Sequence, residues 1–207
     1  AAALVGGACL LAATSGWGAD VTLRAEQFLK AVGLPDGTTT NITMWGFAEG
    51  VGEPSSPGPA LVVPPGDTVL NITLVNNLGV PISLVIPNQN GYVRSGSAEH
   101  VTFTDPQNRT RARSFVKQTE PGTSSVYSWN NVTPGTYLYY SGTHPALQVQ
   151  MGLYGLLKKD APAATPEAYP GIPYAAEATW IFGEIDFDVH AAVADGTYGT
   201  AITSMIH

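Results

Sequence analysis

Four histidines, His100, His144, His190 and His207, are the side chains of this sequence best equipped for chemistry. A neutral imidazole binds a borderline metal ion well and exchanges a proton near neutral pH. His144 stands before Pro145 in PGTYLYYSGTHPALQVQMGLYG, a segment that also holds Met151. It is the candidate metal ligand, set against the simpler reading of a hydrogen-bonded loop residue. His100 follows Glu99 in a polar stretch, and His207 is the last residue given. His190 lies near Asp186 and Asp188, which would allow a weak surface cation site. Glu184, Asp186 and Asp188 alternate, and carboxylates on one face suit acid–base work or a hard cation. Ahead of a short helix, the same acids read more simply as its N-cap and dipole partners. No residue is assigned a catalytic role.

The single cysteine, Cys9, falls in the opening AAALVGGACLLAATSGWGAD. That run is apolar and rich in small residues, then turns polar, and residues 1–19 read as a signal-peptide-like leader. Its apolar part is too short for a membrane helix, which needs roughly 20 residues, and no later segment reads as a membrane span. The chain is therefore expected to be exported, to the periplasm or the extracellular space. Beyond the leader it offers no thiolate, so disulfides, cysteine nucleophiles and thiolate metal ligands are excluded there.

Composition sets the frame for these groups. With 44% hydrophobic and 12% charged residues, the 207-residue chain can build a substantial core. Twenty-three Gly and sixteen Pro among Val, Thr, Tyr and Ile runs suit a turn-rich all-β domain. The net charge is −7, with nine Lys and Arg against sixteen Asp and Glu, which argues against a nucleic-acid partner. Arg109, Arg111, Arg113 and Lys117 form a small basic cluster, a solvated loop or an anion site.

The elements that must position the chemistry follow from pattern. VTLRAEQFLKAVGLPDGTTTNITMWGF holds two extended pieces around a Pro-Asp-Gly-Thr turn, with a helix over LRAEQFLKAV as the rival. ALVVPPGDTVLNITLVNNLGVPISLVIP gives three short strands, and VLNITLV alternates with period two. Residues 88–114 read as a long loop or ragged hairpin. SSVYSW, TYLYY and QMGLYGLLKK are further strands, with Gly152 and Gly155 allowing close backbone packing. A Pro/Ala-rich connector follows, then an apolar strand, ATWIFGEID, and a short helix, DVHAAVADG, stopped by Gly196. Tyr137 and Tyr139 share one face of their strand and Tyr140 takes the other. With Trp129 they form an aromatic cluster, read as core packing or as the wall of a small-molecule pocket. NIT at 41 and 71, NRT at 108 and NVT at 131 are glycosylation sequons that matter only in a eukaryotic secretory route.

PGPALVVPPGDTVLNITLVNNLG, then PISLVIP, then PGTYLYYSGTHPALQVQMGLYGLL, resemble in order the first cupredoxin (plastocyanin-like) domain of bacterial multicopper oxidases, over roughly residues 41–158. EIDFDVHAAVADG resembles the lead into a second such domain. The resemblance implies an all-β, Greek-key β-sandwich of cupredoxin type over 20–160. Residues 161–207 would be a connector, strand and helix leading to a missing next domain, and the partners would be further cupredoxin domains of the same chain. It also implies copper chemistry, because two His-x-His pairs of the family's first domain help hold a trinuclear copper cluster. Laid on this chain, those positions fall on Val85 and Pro87, and on Tyr140 and Gly142, none of which is histidine. A type 1 centre would want two His and a Cys, often with an axial Met; Met151 is present but the cysteine is not. Copper is thus expected, if anywhere, in a longer parent protein and not in this chain. Two functions stay open. One is a structural domain of a multicopper-oxidase-like oxidoreductase, and the other is a non-catalytic binding or assembly module of the cell envelope.

Overall fold

The computed structural model describes residues 18–96 and 98–199; residues 1–17, with Cys9 and most of the expected leader, and His207 lie outside the described residues. The first long strand, β1 (Ala19–Gly33), places Leu23 and Ala25 in the core and runs antiparallel to β2 (Thr39–Glu49) along its second half and beyond. The rival helix is therefore not formed. Pairing with β2 along the whole segment, and with the strand Val69–Asn76 up to Ala25, outweighs the modest local helix propensity of LRAEQFLKAV. The Pro-Asp-Gly-Thr turn closes the hairpin: Asp36 Oδ1 accepts from the Thr38 amide at 2.9 Å and its hydroxyl at 2.6 Å, and Gly37 supplies φ 83°.

Strand β3 (Leu61–Val63) and β4 (Val69–Asn76) come from the first two pieces of ALVVPPGDTVLNITLVNN. In β4, Leu70, Ile72 and Leu74 are fully buried while Asn71, Thr73 and Val75 are half-buried, the alternation of a strand with one face on a core. The third expected strand, in PISLVIP, is reduced to single bridges at Ile82 and Val85. Residues 88–114 are more regular than a loop. They hold β5 (Gly91–Gly96), β6 (Ala98–Thr104) and the start of β7 (Thr110–Thr119), with β6 and β7 forming a separate hairpin. Asp105 organises its turn, accepting from the Arg109 amide, Arg109 Nε and Arg111 Nε, each at 2.9 Å. Part of the basic cluster is thereby spent on a local carboxylate.

After β8 (Ser124–Asn130) and β9 (Gly135–Tyr140) comes α1 (Pro145–Met151), about two turns of helix that take in Gln150 and Met151, the first two residues of the expected strand QMGLYGLLKK. Gly152 ends it with φ 119°, and a Cβ there would stand 2.2 Å from the Trp45 carbonyl, so only glycine fits. Strand β10 (Tyr154–Lys159) follows, then the short pair β11 (Glu167–Tyr169) and β12 (Ile172–Pro173), and α2 (Phe187–Ala194).

One sheet has the order β2-β1-β4-β8-β5, with β1 and β4 parallel; the other has β3-β10-β9. Their inner faces share one core, including Leu23, Phe47, Leu70, Ile72, Leu74, Tyr139 and Leu157. Gly155 lets that core close: a Cβ there would lie 2.3 Å from the Tyr139 ring. ATWIFGEID, expected as a strand, carries no regular secondary structure and pairs with no strand among the described residues. The helix beyond it forms as expected. Asp186 caps it, accepting from the amides of Asp188 at 2.9 Å and Val189 at 3.2 Å, and Gly196 at φ 67° follows its end.

Candidate functional site

The segment between β4 and β5 meets the end of β9 at one corner of the sandwich. Val85 and Tyr140 form a two-way backbone bridge, with N···O distances of 3.0 and 3.1 Å. Gly142 lies against the same valine: a Cβ on Gly142 would come within 2.9 Å of Val85 Cγ1 and 3.3 Å of Val116 Cγ2. The fold thus brings Val85, Tyr140 and Gly142 together, while Pro87 is exposed two residues beyond Val85. What meets there is hydrocarbon, a phenol and backbone. None of the four residues offers the imidazole nitrogen that a protein copper centre of this kind requires, so the donor set does not suit copper.

Beneath this corner runs a buried polar chain that sequence reasoning passed over. The Ser141 hydroxyl donates to Gln148 Oε1 at 2.5 Å, and the Ser83 amide donates to Ser141 Oγ at 3.0 Å. The Gly142 amide donates to Ser83 Oγ at 3.0 Å, and Gln148 Nε2 donates to the Pro81 carbonyl at 2.8 Å. Ser83, Ser141 and Gln148 are all buried. The chain ties three segments together: the 81–85 crossing, the end of β9 and α1. Its signal in the sequence was a lone serine interrupting PISLVIP and another after TYLYY, each a polar residue inside an apolar run.

The histidines scatter. His144 is exposed at the N-cap of α1, where its side chain caps no amide and its ring meets Tyr198 edge-on at 6.3 Å. Met151, the other sulfur or nitrogen donor of that segment, is fully buried in the core. His100 lies in β6 opposite Lys117. His190 is no surface site: it is 2% exposed, and its ring nitrogens face two backbone carbonyls, Thr43 O at 2.8 Å and Gln150 O at 3.1 Å. Asp186 is committed to its cap, and among the described residues no group of three or more His, Cys, Asp or Glu could hold a metal ion.

The tyrosines divide as alternation requires. Tyr139 is fully buried, packs against Phe47 at 5.6 Å and donates to the Pro59 carbonyl at 2.7 Å; burial raises its phenol far above the usual range. Tyr140 faces outward into a groove of about 870 Å³, whose walls include Leu138, Val149, Tyr154, Phe182 and Glu184. Beside it Trp180 and Phe182 stack on each other at 6.4 Å and are 75% and 88% exposed. The sequon residue Asn71 is tied within the sheet, donating to Asp20 Oδ1 at 2.8 Å and accepting from Ser128 Oγ at 2.6 Å.

Among solved structures, the chain is similar to a multicopper oxidase, mgLAC, at 18% identity and a TM-score of 0.50, covering 70% of this chain and 40% of that one. The fold is cupredoxin-like. A copper nitrite reductase from Nitrosomonas europaea is similar at 22% identity and a TM-score of 0.48, over 71% of this chain and 43% of that one. A copper-containing nitrite reductase from Thermus scotoductus gives 24% and 0.47, over 72% and 29%. The chain thus spans less than half the length of these structures, and at such identities the likeness speaks for the fold alone. No protein-family model matches the chain, and no curated protein matches it. No helix among the described residues is long and apolar enough to cross a membrane.

Proposed function

We propose that this chain is the N-terminal cupredoxin-like domain of an exported, multicopper-oxidase-like oxidoreductase. In this reading it binds no copper of its own and serves as a structural wall for a following cupredoxin domain. The observation that carries the reading is the corner formed by Val85, Tyr140 and Gly142. By the family resemblance, copper-binding histidines would be expected at these positions, and here a valine methyl fills the space beside a glycine that has no side chain. The buried Ser83–Ser141–Gln148 chain keeps the corner's backbone in place without a metal. The groove beside Tyr140, with Trp180 and Phe182 on its rim, supplies the apolar surface that a following domain would cover. Export rests on the leader-like opening, and electron transfer would belong to a longer protein whose later domains hold the copper.

Copper(II) titration of the purified chain, read by electron paramagnetic resonance and metal analysis, tests the first half. Weak, substoichiometric binding is expected. Equimolar, tightly held copper that is lost in His144→Ala would overturn it. The coding sequence beyond His207 tests the second half. A Cys flanked by histidines with a Met shortly after would support an electron-transfer parent. A stop codon, or a sandwich lacking those residues, would leave a non-catalytic envelope module instead.

A further inference from the structure

The buried ring of His190 joins two carbonyls that have no other donor among the described residues. Strand β2 is the edge of the five-stranded sheet, and its outward carbonyls, such as that of Phe47 bonded by the Ser55 amide, must find partners off the sheet. Thr43 has the same strand parity as Phe47, and its carbonyl receives His190 Nδ1 at 2.8 Å. Gln150 is the penultimate residue of α1. The amide four residues on, that of Tyr154, bonds Gly152 O at 2.9 Å instead, which leaves Gln150 O to His190 Nε2 at 3.1 Å. No basic residue occupies the last turn of α1, so His190 is the group that complements the negative end of that helix.

A neutral imidazole has one N–H and can serve only one of these carbonyls; the other ring nitrogen then faces an oxygen with its lone pair. The protonated ring donates to both. We infer that His190 is a proton-operated clasp that holds α2, and with it the segment ahead of α2, against the sandwich. Protonation tightens the clasp and deprotonation loosens it. The charged groups around it are few. On α2 itself, Asp186 is the N-cap, Asp188 stands in the first turn and Asp195 is the C-cap. Strand β2 carries only Glu49, and α1 none, with His144 at its cap. On the neighbouring β1, Lys30 is engaged with the Ser56 carbonyl at 2.6 Å. Residues 181–184, which form one wall of the groove, lie immediately ahead of α2, so a loosened clasp would open that groove.

Nitrogen-15 NMR of the His190 ring, with amide hydrogen exchange from pH 5 to 8.5, tests the clasp in the intact chain. The readout is the protection of α2 amides divided by that of β4 amides in the same sample, which cancels the intrinsic pH dependence of exchange. Two ring N–H groups are expected at the acid end, and the ratio should fall about tenfold as the ring loses a proton. His190→Gln, which keeps one donor, should dock α2 with a ratio independent of pH. A single ring N–H throughout, or a ratio unchanged across the range in the native chain, would overturn the inference.

Discussion

Two regions of this molecule border each other and were finished differently. At the corner of Val85, Tyr140 and Gly142, backbone groups pair, a methyl occupies the space beside Gly142, and three buried polar side chains satisfy one another. Along residues 178–186, Trp180 and Phe182 stand in solvent with only each other as ring partners, and no strand pairs with them among the described residues. At that corner the protein has packed itself shut, and the apolar surface left exposed lies beside it. A closed corner resists substitution because its atoms have no room to relax. An exposed apolar pair tolerates substitution because folding gained nothing from it.

The sharpest way to test the contrast is to remove the anchor of the closed region. Tyr139→Ala should cost about 3–5 kcal/mol in chemical denaturation, the scale for truncating a buried aromatic. Tyr139→Phe, which loses only the bond to Pro59 O, should cost about 1 kcal/mol. Next comes Gln148→Leu, which leaves the Ser141 hydroxyl and the Pro81 carbonyl without their partners and should cost about 2–3 kcal/mol.

Alkali probes the core by another route. Tyr127, buried and bonded to Thr119 and to the Lys117 carbonyl, has its phenol pushed up to about 12 by burial. The native state therefore keeps this proton where the unfolded chain has lost it, and ∂ΔG/∂pH is negative there. Its contribution, about 2–3 kcal/mol for a shift of this size, is present below about pH 10 and lost between about pH 10 and 12. Unfolding free energies measured across that window should fall, and Tyr127→Phe should flatten the slope.

A smaller effect isolates the contact at the corner itself. Gly142→Ala should cost about 1–2 kcal/mol through its clash with Val85, and clearly less in a Val85→Ala background. Equal costs in both backgrounds would mean that the two residues are not packed as described. Smallest of all, Trp180→Ser with Phe182→Ser should change stability by no more than about 0.5 kcal/mol. A large loss would place that pair inside the folded unit and erase the contrast.

Much of this was legible before any coordinates. Period-two alternation in VLNITLV marked β4, Asp36 and Gly37 marked the first turn, and Asp186 and Gly196 bracketed α2. These are local signals, carried by side chains within a few residues of the backbone they shape. The residue types at Val85, Pro87, Tyr140 and Gly142 are equally a matter of sequence, and they alone rule out imidazole ligation at those four positions. Tertiary structure decided what depends on a distant partner. LRAEQFLKAV became a strand because β2 pairs along all of it and β4 along Leu23–Ala25, while ATWIFGEID pairs with no strand among the described residues. His190, beside two aspartates in sequence, was turned inward by carbonyls of Thr43 and Gln150 that no local pattern could reveal. Backbone groups left over at a sheet edge and a helix end exist only after the sheet and helix have formed, so their partners can be read only from the folded chain.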